Sequence, residues 1–205
     1  MLTAFTAGLM LITISELGDK TFFIAVILSM RHSRKLVFVG VIGALAAMTI
    51  LSVAIGQLIA FLPKIYTHYA SIGLFLFFGI KLLYDASRMT AKTDGKVVQE
   101  AEKAIDVSEN NLKNSNTNLA ILLESFILTF LAEWGDRTQI ATVTLAASNN
   151  ATGVTVGAII GHAICTIIAV LGGRLIAGRI SERMVTAIGG FLFLIFAVVA
   201  IFEKT

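Results

Sequence analysis

The chain has 205 residues, 57% hydrophobic and only 14% charged, with a mean hydropathy of +0.87 and a formal net charge of +3. Soluble domains carry about 25% charge and 45–50% apolar residues, so the composition excludes a water-soluble globule and describes a polytopic membrane protein. A single cysteine, Cys165, excludes a disulfide framework or a thiolate metal cluster within one chain, and three dispersed histidines exclude a His-rich metal site.

A membrane-crossing helix needs about 20 mostly apolar residues. Six stretches have that length, roughly 3–30, 36–62, 66–86, 119–147, 152–178 and 183–202. The first is not expected to be a cleavable signal peptide, because no basic segment precedes it and Glu16, Asp19 and Lys20 interrupt its apolar run. The first and fourth are long enough to tilt or to break in the middle. In the second, Gly43 and Ala47 have the small-residue spacing of close helix packing.

Residues 87–118 form the one sizeable polar segment, mixed in charge and asparagine-rich near its end. They read as a solvated linker, in which Val97, Ala101, Ala104 and Ile105 recur at the spacing of a short surface helix. In the fourth stretch Glu124 precedes Glu133 by nine residues, about 13 Å of helix. It reads equally as a cation entrance, with Ser125, or as an interfacial carboxylate. Asn150-Ala-Thr152 matches a glycosylation sequon but hugs the membrane in a very short loop, so it is discounted. In the fifth, Gly157 and Gly161 form a G-x-x-x-G packing motif. His162 follows it. A lone intramembrane histidine first suggests a hydrogen bond to a neighbouring helix; as a ligand, its nitrogen would favour Mn²⁺ over Ca²⁺.

With six crossings the connections alternate between two sides. One side collects 12 of the 16 basic residues, the other has only Lys64 and Lys204, and Lys20 and Arg137 lie inside spans. The positive-inside rule then places residues 87–118 in the cytoplasm and both termini on the far side.

The chain also repeats itself. Glu16-Leu-Gly-Asp-Lys-Thr21 matches Glu133-Trp-Gly-Asp-Arg-Thr138 at an offset of 117 residues. At the same offset, without gaps, Gly40 meets Gly157, Thr49-Ile50 meets Thr166-Ile167, and Gly73 meets Gly190. Each copy holds three spans, an odd number, so the second enters from the opposite side. The expected fold is an all-α integral membrane protein of six transmembrane helices in two inverted three-helix repeats. Residues 1–86 form the first repeat, 87–118 the linker and 119–205 the second. In inverted-repeat transporters the substrate site lies near the midplane at the repeat interface, where both motifs fall.

Six ionisable groups lie at membrane depth: Glu16, Asp19, Lys20, Glu133, Asp136 and Arg137. Each costs roughly 2.5–3.5 kcal/mol on insertion scales, on the order of 15–20 kcal/mol together if unpaired. Helix-locking pairs at i,i+4, Glu16 with Lys20 and Glu133 with Arg137, explain part of this but leave Asp19 and Asp136 without a purpose. On a helix, Glu16 and Asp19 share a face, as do Glu133 and Asp136, with Thr129 and Gln139 extending the second stripe. Two antiparallel helices crossing there bring four carboxylates together. Gly18 and Gly135 allow close approach or local unwinding that frees carbonyls, and Thr21 and Thr138 add hydroxyls. Such an all-oxygen set suits Ca²⁺, Mn²⁺ or Mg²⁺ and disfavours copper or zinc. Lys20 and Arg137 have two roles open to them: holding the empty site together by pairing with carboxylates, or tuning their protonation.

The paired E-x-G-D-[KR]-[TS] motifs, in two three-span units around a polar loop, resemble the family of divalent cation/proton antiporters of the Golgi, chloroplasts and cyanobacteria. The resemblance covers nearly all six spans. It implies export of Mn²⁺ or Ca²⁺ from the cytosol in exchange for protons, with Mn²⁺ favoured for a bacterial or cyanobacterial member, in the inner, plasma or thylakoid membrane. The metal-site residues it implies are Glu16, Asp19, Thr21, Glu133, Asp136 and Thr138, supported by Gly18, Lys20, Gly135, Arg137 and Gln139. No enzyme activity, resident cofactor or nucleic-acid partner is expected; the partners are the cation, protons and the bilayer. The readings set against it are an exporter of small organic cations such as basic amino acids, whose amine the carboxylates would hold, and a non-transporting membrane scaffold with structural ion pairs.

Overall fold

The computed structural model describes residues 1–89, 96–111, 117–176 and 181–202. Of the basic residues counted above for the orientation, Lys92, Lys113, Arg179 and Lys204 lie outside them. Among the described residues every regular element is an α-helix: α1 (Leu2–Glu16), α2 (Lys20–Arg31), α3 (Arg34–Ile59), α4 (Lys64–Arg88), α5 (Lys96–Asn111), α6 (Asn118–Glu133), α7 (Arg137–Ser148), α8 (Ala151–Ile176) and α9 (Glu182–Phe202). Their boundaries follow from local chemistry. Ser33 begins α3, Thr117 caps α6 by accepting from the Ala120 amide at 3.3 Å, and Pro63, which cannot continue α3, begins α4. The Asn150 side chain accepts from the Gly153 amide at 2.9 Å, so the sequon asparagine is a helix cap.

Helices α3, α4, α8 and α9 are each long and apolar enough to cross a membrane. The α6–α7 pair passes the same test as one span broken by a 73° bend, making five. The first expected span is interrupted instead. Apolar α1 has 15 residues, too few to cross alone, and α2 has 12.

The helices pack across the two halves of the chain. α1 lies along α8, α4 along α9, and α3 against α6, α7 and α8. Glycines make these approaches possible. Gly157 faces the Phe5 carbonyl so closely that a Cβ would collide with it, and a Cβ on Gly40 would lie 2.6 Å from the Leu122 carbonyl oxygen. These two contacts are the same contact at the 117-residue offset. Between α4 and α9, Phe75, Phe78, Phe193 and Phe196 pack ring against ring.

Within residues 87–118 the described part is a docked helix rather than a solvated linker. Helix α4 runs on to Arg88, and α5 buries Ala101 and Ile105 completely against α2 and its neighbours. Its polar side holds α2 by its end: Arg31 pairs with Asp106 at 2.8 Å and with Glu109 at 2.7 Å, and His32 lies 3.2 Å from Glu109. Those hydrogen bonds, Asp106 foremost, push the Arg31 pKa above its ordinary value.

Candidate functional site

Both motifs break their helix in the same way. Glu16 ends α1 and Glu133 ends α6; the next residue is extended, and the glycine turns left-handed, with φ of 81° at Gly18 and 80° at Gly135. A residue with a Cβ resists that conformation by about 1–2 kcal/mol, so glycine is required at both places. The aspartate then caps the second helix: Asp19 accepts from the Lys20 amide at 2.7 Å and Asp136 from the Thr138 amide at 3.2 Å. The breaks fall where the sequence left local unwinding open, at Gly18 and Gly135, and they correct the shared-face reading. Glu16 and Asp19, like Glu133 and Asp136, face the site from either side of a break rather than along one helical stripe.

The breaks put the carboxylates together. Oxygens of Glu16, Glu133 and Asp136 lie within 4.8 Å of one another. Ligand oxygens 2.3–2.6 Å from one Ca²⁺ lie at most about 5 Å apart, so this spacing can hold a single hard cation. The Thr21 hydroxyl donates to Glu16 at 3.0 Å, and the Thr138 hydroxyl reaches Asp136 at 2.9 Å and Glu133 at 3.3 Å. Oε1 of Glu16 is buried and has no hydrogen-bond partner.

Asp19 stands outside this trio. Its carboxylate accepts from Arg137 at 2.9 Å, joining the two motifs across 118 positions of sequence. Neither i,i+4 pair forms, and among the described residues Lys20 lies in no ion pair. Gln139 turns its amide to the break, accepting from the Gly135 amide at 2.7 Å and donating to the Met48 sulfur at 3.1 Å. Thr129 and Glu124 are buried on α6, and Thr129 Oγ1 and Glu124 Oε1 have no hydrogen-bond partner.

Two cavities of about 10 Å³, each room for one water or a bare ion, flank the carboxylates. One is lined by Glu133 and Thr138 with Met48, Thr49 and Thr142; the other by Glu16 and Thr21 with Cys165, Thr166 and Ala25. Leu45 and His162 line both. Eight of the nine residues around the Glu16 cavity are the 117-offset counterparts of residues around the Glu133 cavity. Sequence reading by motif missed the walls supplied by α3 and α8, above all the counterparts Met48 and Cys165. The repeat itself carried that signal, since Thr49 and Thr166 beside them match.

The geometry agrees with the family comparison. The profile of the family "Divalent cation/proton antiporter GDT1" matches residues 4–90 and 121–205. The chain belongs to the GDT1 family. A GDT1-like protein of Synechocystis sp., sll0615, is 62% identical over 204 residues, covering 100% of this chain and 99% of that protein. GDT1-like protein 4 of indica rice is 44% identical over 205 residues, 97% of this chain and 73% of the relative. The chloroplastic PAM71 homologue of Arabidopsis thaliana is 42% identical over 213 residues, 98% of this chain and 59% of the relative. No solved structure matches the chain. As a GDT1-family member it is a multi-pass membrane transporter that exchanges a divalent cation for protons, and not an enzyme.

Proposed function

We propose that this GDT1-family antiporter exports Mn²⁺, with Ca²⁺ as a second substrate, from the cytosol through a site shared by two inverted three-helix repeats. One observation carries the reading: carboxylates from both copies of the motif converge to single-cation spacing. Glu16, Glu133 and Asp136 bind the cation with Thr21 and Thr138, while Asp19, held by Arg137, fixes one motif to the other. Gly18 and Gly135 make the breaks, and Lys20 and Gln139 support them.

Six crossings follow if the broken α1–α2 pair spans the bilayer as α6–α7 does. Support comes from the matching breaks, the paired cavities and the repeated glycine contacts. The repeats are then residues 1–86 and 119–205, joined by a cytoplasmic segment 87–118, with both termini on the far side of a bacterial inner or a cyanobacterial plasma or thylakoid membrane. The preference for Mn²⁺ follows from the resemblance to cyanobacterial members of the family, to which the relative at 62% identity adds the organism group and no metal. Glu124, buried on α6 on the cytoplasmic side of Glu133 in this topology, marks the cation's way in.

Coupling follows from charge. The four carboxylates with Lys20 and Arg137 sum to −2 when ionised, which one divalent ion neutralises and two protons neutralise equally. A neutral site crosses a low-dielectric barrier most easily. Metal and protons therefore compete for the same oxygens, and exchange runs near two protons per cation. The test is proteoliposome uptake of Mn²⁺, Ca²⁺ and Mg²⁺ in parallel with internal pH recorded. Proton movement opposite to Mn²⁺, about two per ion and insensitive to clamped potential, is the expected result. A potential-driven flux that ignores the pH gradient overturns it.

A further inference from the structure

The carboxylates do not account for His162. Its ring is 5% exposed, and Nδ1 is buried with no hydrogen-bond partner, so the packing role first suggested for a lone membrane histidine is unfilled at that atom. A buried polar atom left unpaired is costly, and no group among the described residues hydrogen-bonds to it. The ring sits in the wall common to both cavities, with Glu133 and Thr138 on one side and Glu16 and Thr21 on the other. Its repeat counterpart, Leu45, occupies the same shared wall with a side chain that can ligate nothing.

Each cavity therefore has two chemical faces. The motif helices contribute hard oxygen donors. The lining from α3 and α8 contributes hydroxyls, the His162 imidazole and one sulfur per cavity, Met48 or Cys165. Both sulfurs are already engaged, Met48 with the Gln139 amide and Cys165 with the Thr13 carbonyl at 3.3 Å. His162 Nδ1 is the donor left open.

We propose that His162 is a nitrogen ligand to the transported cation, and that it selects first-row transition ions over Ca²⁺ and Mg²⁺. The reasoning is elementary coordination chemistry. Ca²⁺ and Mg²⁺ take oxygen and gain little from imidazole, whereas imidazole affinity rises along the first-row divalent series from Mn²⁺ upward. With carboxylates alone the site has little to tell Mn²⁺ from Ca²⁺. One neutral nitrogen adds a preference without changing the site's charge. The proposal rests on the carboxylate reading above and adds to it the ligand that sets the preference among divalent ions.

The experiment uses the full chain, purified in nanodiscs. Binding of Mn²⁺, Co²⁺ and Ca²⁺ is titrated for the parent protein, His162→Leu, His162→Gln and Glu133→Gln, and pulsed EPR of bound Mn²⁺ is read for directly coordinated ¹⁴N. The expected result is a ¹⁴N coupling in the parent that is absent from His162→Leu. The Mn²⁺:Ca²⁺ affinity ratio should fall about 10-fold in that variant and the Co²⁺:Ca²⁺ ratio further, following the ligand preference. His162→Gln, isosteric enough to preserve packing, is read the same way, and Ca²⁺ binding by either variant certifies its fold. No ¹⁴N coupling in the parent, or ratios within twofold of the parent in a variant that binds Ca²⁺, overturns the proposal. Unaltered binding of every ion by Glu133→Gln overturns the carboxylate reading instead, so the two failures are separable.

Discussion

The two cavities share a frame and differ in lining. Around Glu133 the wall includes Gln139, Thr142 and Ser52; the counterparts of the first two, around Glu16, are Phe22 and Ala25. The ion pairing is equally lopsided, since Arg137 reaches across to Asp19 whereas Lys20 pairs with no described carboxylate. The duplicated scaffold thus repeats its backbone breaks and its glutamates, while most of the polar lining and the bridging cation belong to one side. On the proposed reading the glutamates are needed twice, and the solvating groups once.

The largest effect tests the first half of that statement. Glu16→Gln and Glu133→Gln should each lower metal-driven proton flux by at least about 100-fold, because each removes a ligand and a proton carrier together. Both should still insert, since losing a buried charge relieves desolvation. Full flux from either, measured on purified protein, would place that residue outside the site.

The bridging cation comes next. Arg137→Gln strands Asp19 in a half-buried place without its partner, a loss of roughly 3–5 kcal/mol where such pairs are buried. Lys20→Gln should cost less than about 1 kcal/mol by comparison. Thermal unfolding in detergent compares them, and equal losses would erase the asymmetry. Asp19→Asn combined with Arg137→Gln should recover part of the Arg137→Gln loss.

Gly18→Ala and Gly135→Ala probe what the halves have in common. Each places a Cβ at positive φ and should cost about 1–2 kcal/mol, read as similar drops in unfolding temperature. The smallest expected change is in the lining. Thr142→Ala gives the Glu133 cavity the side chain that the Glu16 cavity carries, and should weaken Mn²⁺ binding several-fold, about 1 kcal/mol for one hydrogen-bonding group. Lower cytosolic pH should raise the apparent KM for Mn²⁺ in the parent, and Asp136→Asn should flatten that dependence.

Hydropathy and the 117-residue offset made the helical membrane class and the duplicated motif legible, and of the four carboxylates expected to converge three do so, with Asp19 set apart against Arg137. What stayed hidden was tertiary. The residues leave unwinding at Gly18 and Gly135 open, but the left-handed angle that sets Glu16 and Asp19 on either side of a break leaves no trace in a 3.6-residue period. The Asp19–Arg137 pair joins residues that no i,i+4 rule connects. Met48 and Cys165 look like ordinary apolar filling until α3 and α8 turn them toward the glutamates. The docking of α5 was half visible: its apolar spacing announced a helix, but nothing local announced that Ala101 and Ile105 have α2 to bury against.

The glycine contacts have a consequence for biogenesis. Helix α1 buries its surface on α8, which leaves the ribosome more than a hundred residues later, and α3 waits likewise for α6 and α7. Glu16 and Asp19 must therefore reside in a nascent chain that lacks their partners from the second half, Glu133 and Arg137 included. A chain arrested after α4 offers such ionisable groups to lipid or to the translocon, and only the arrival of α8 closes them in. Clearance of incomplete chains by membrane proteases would then act on the first half of the protein, at the very glutamate its finished form depends on.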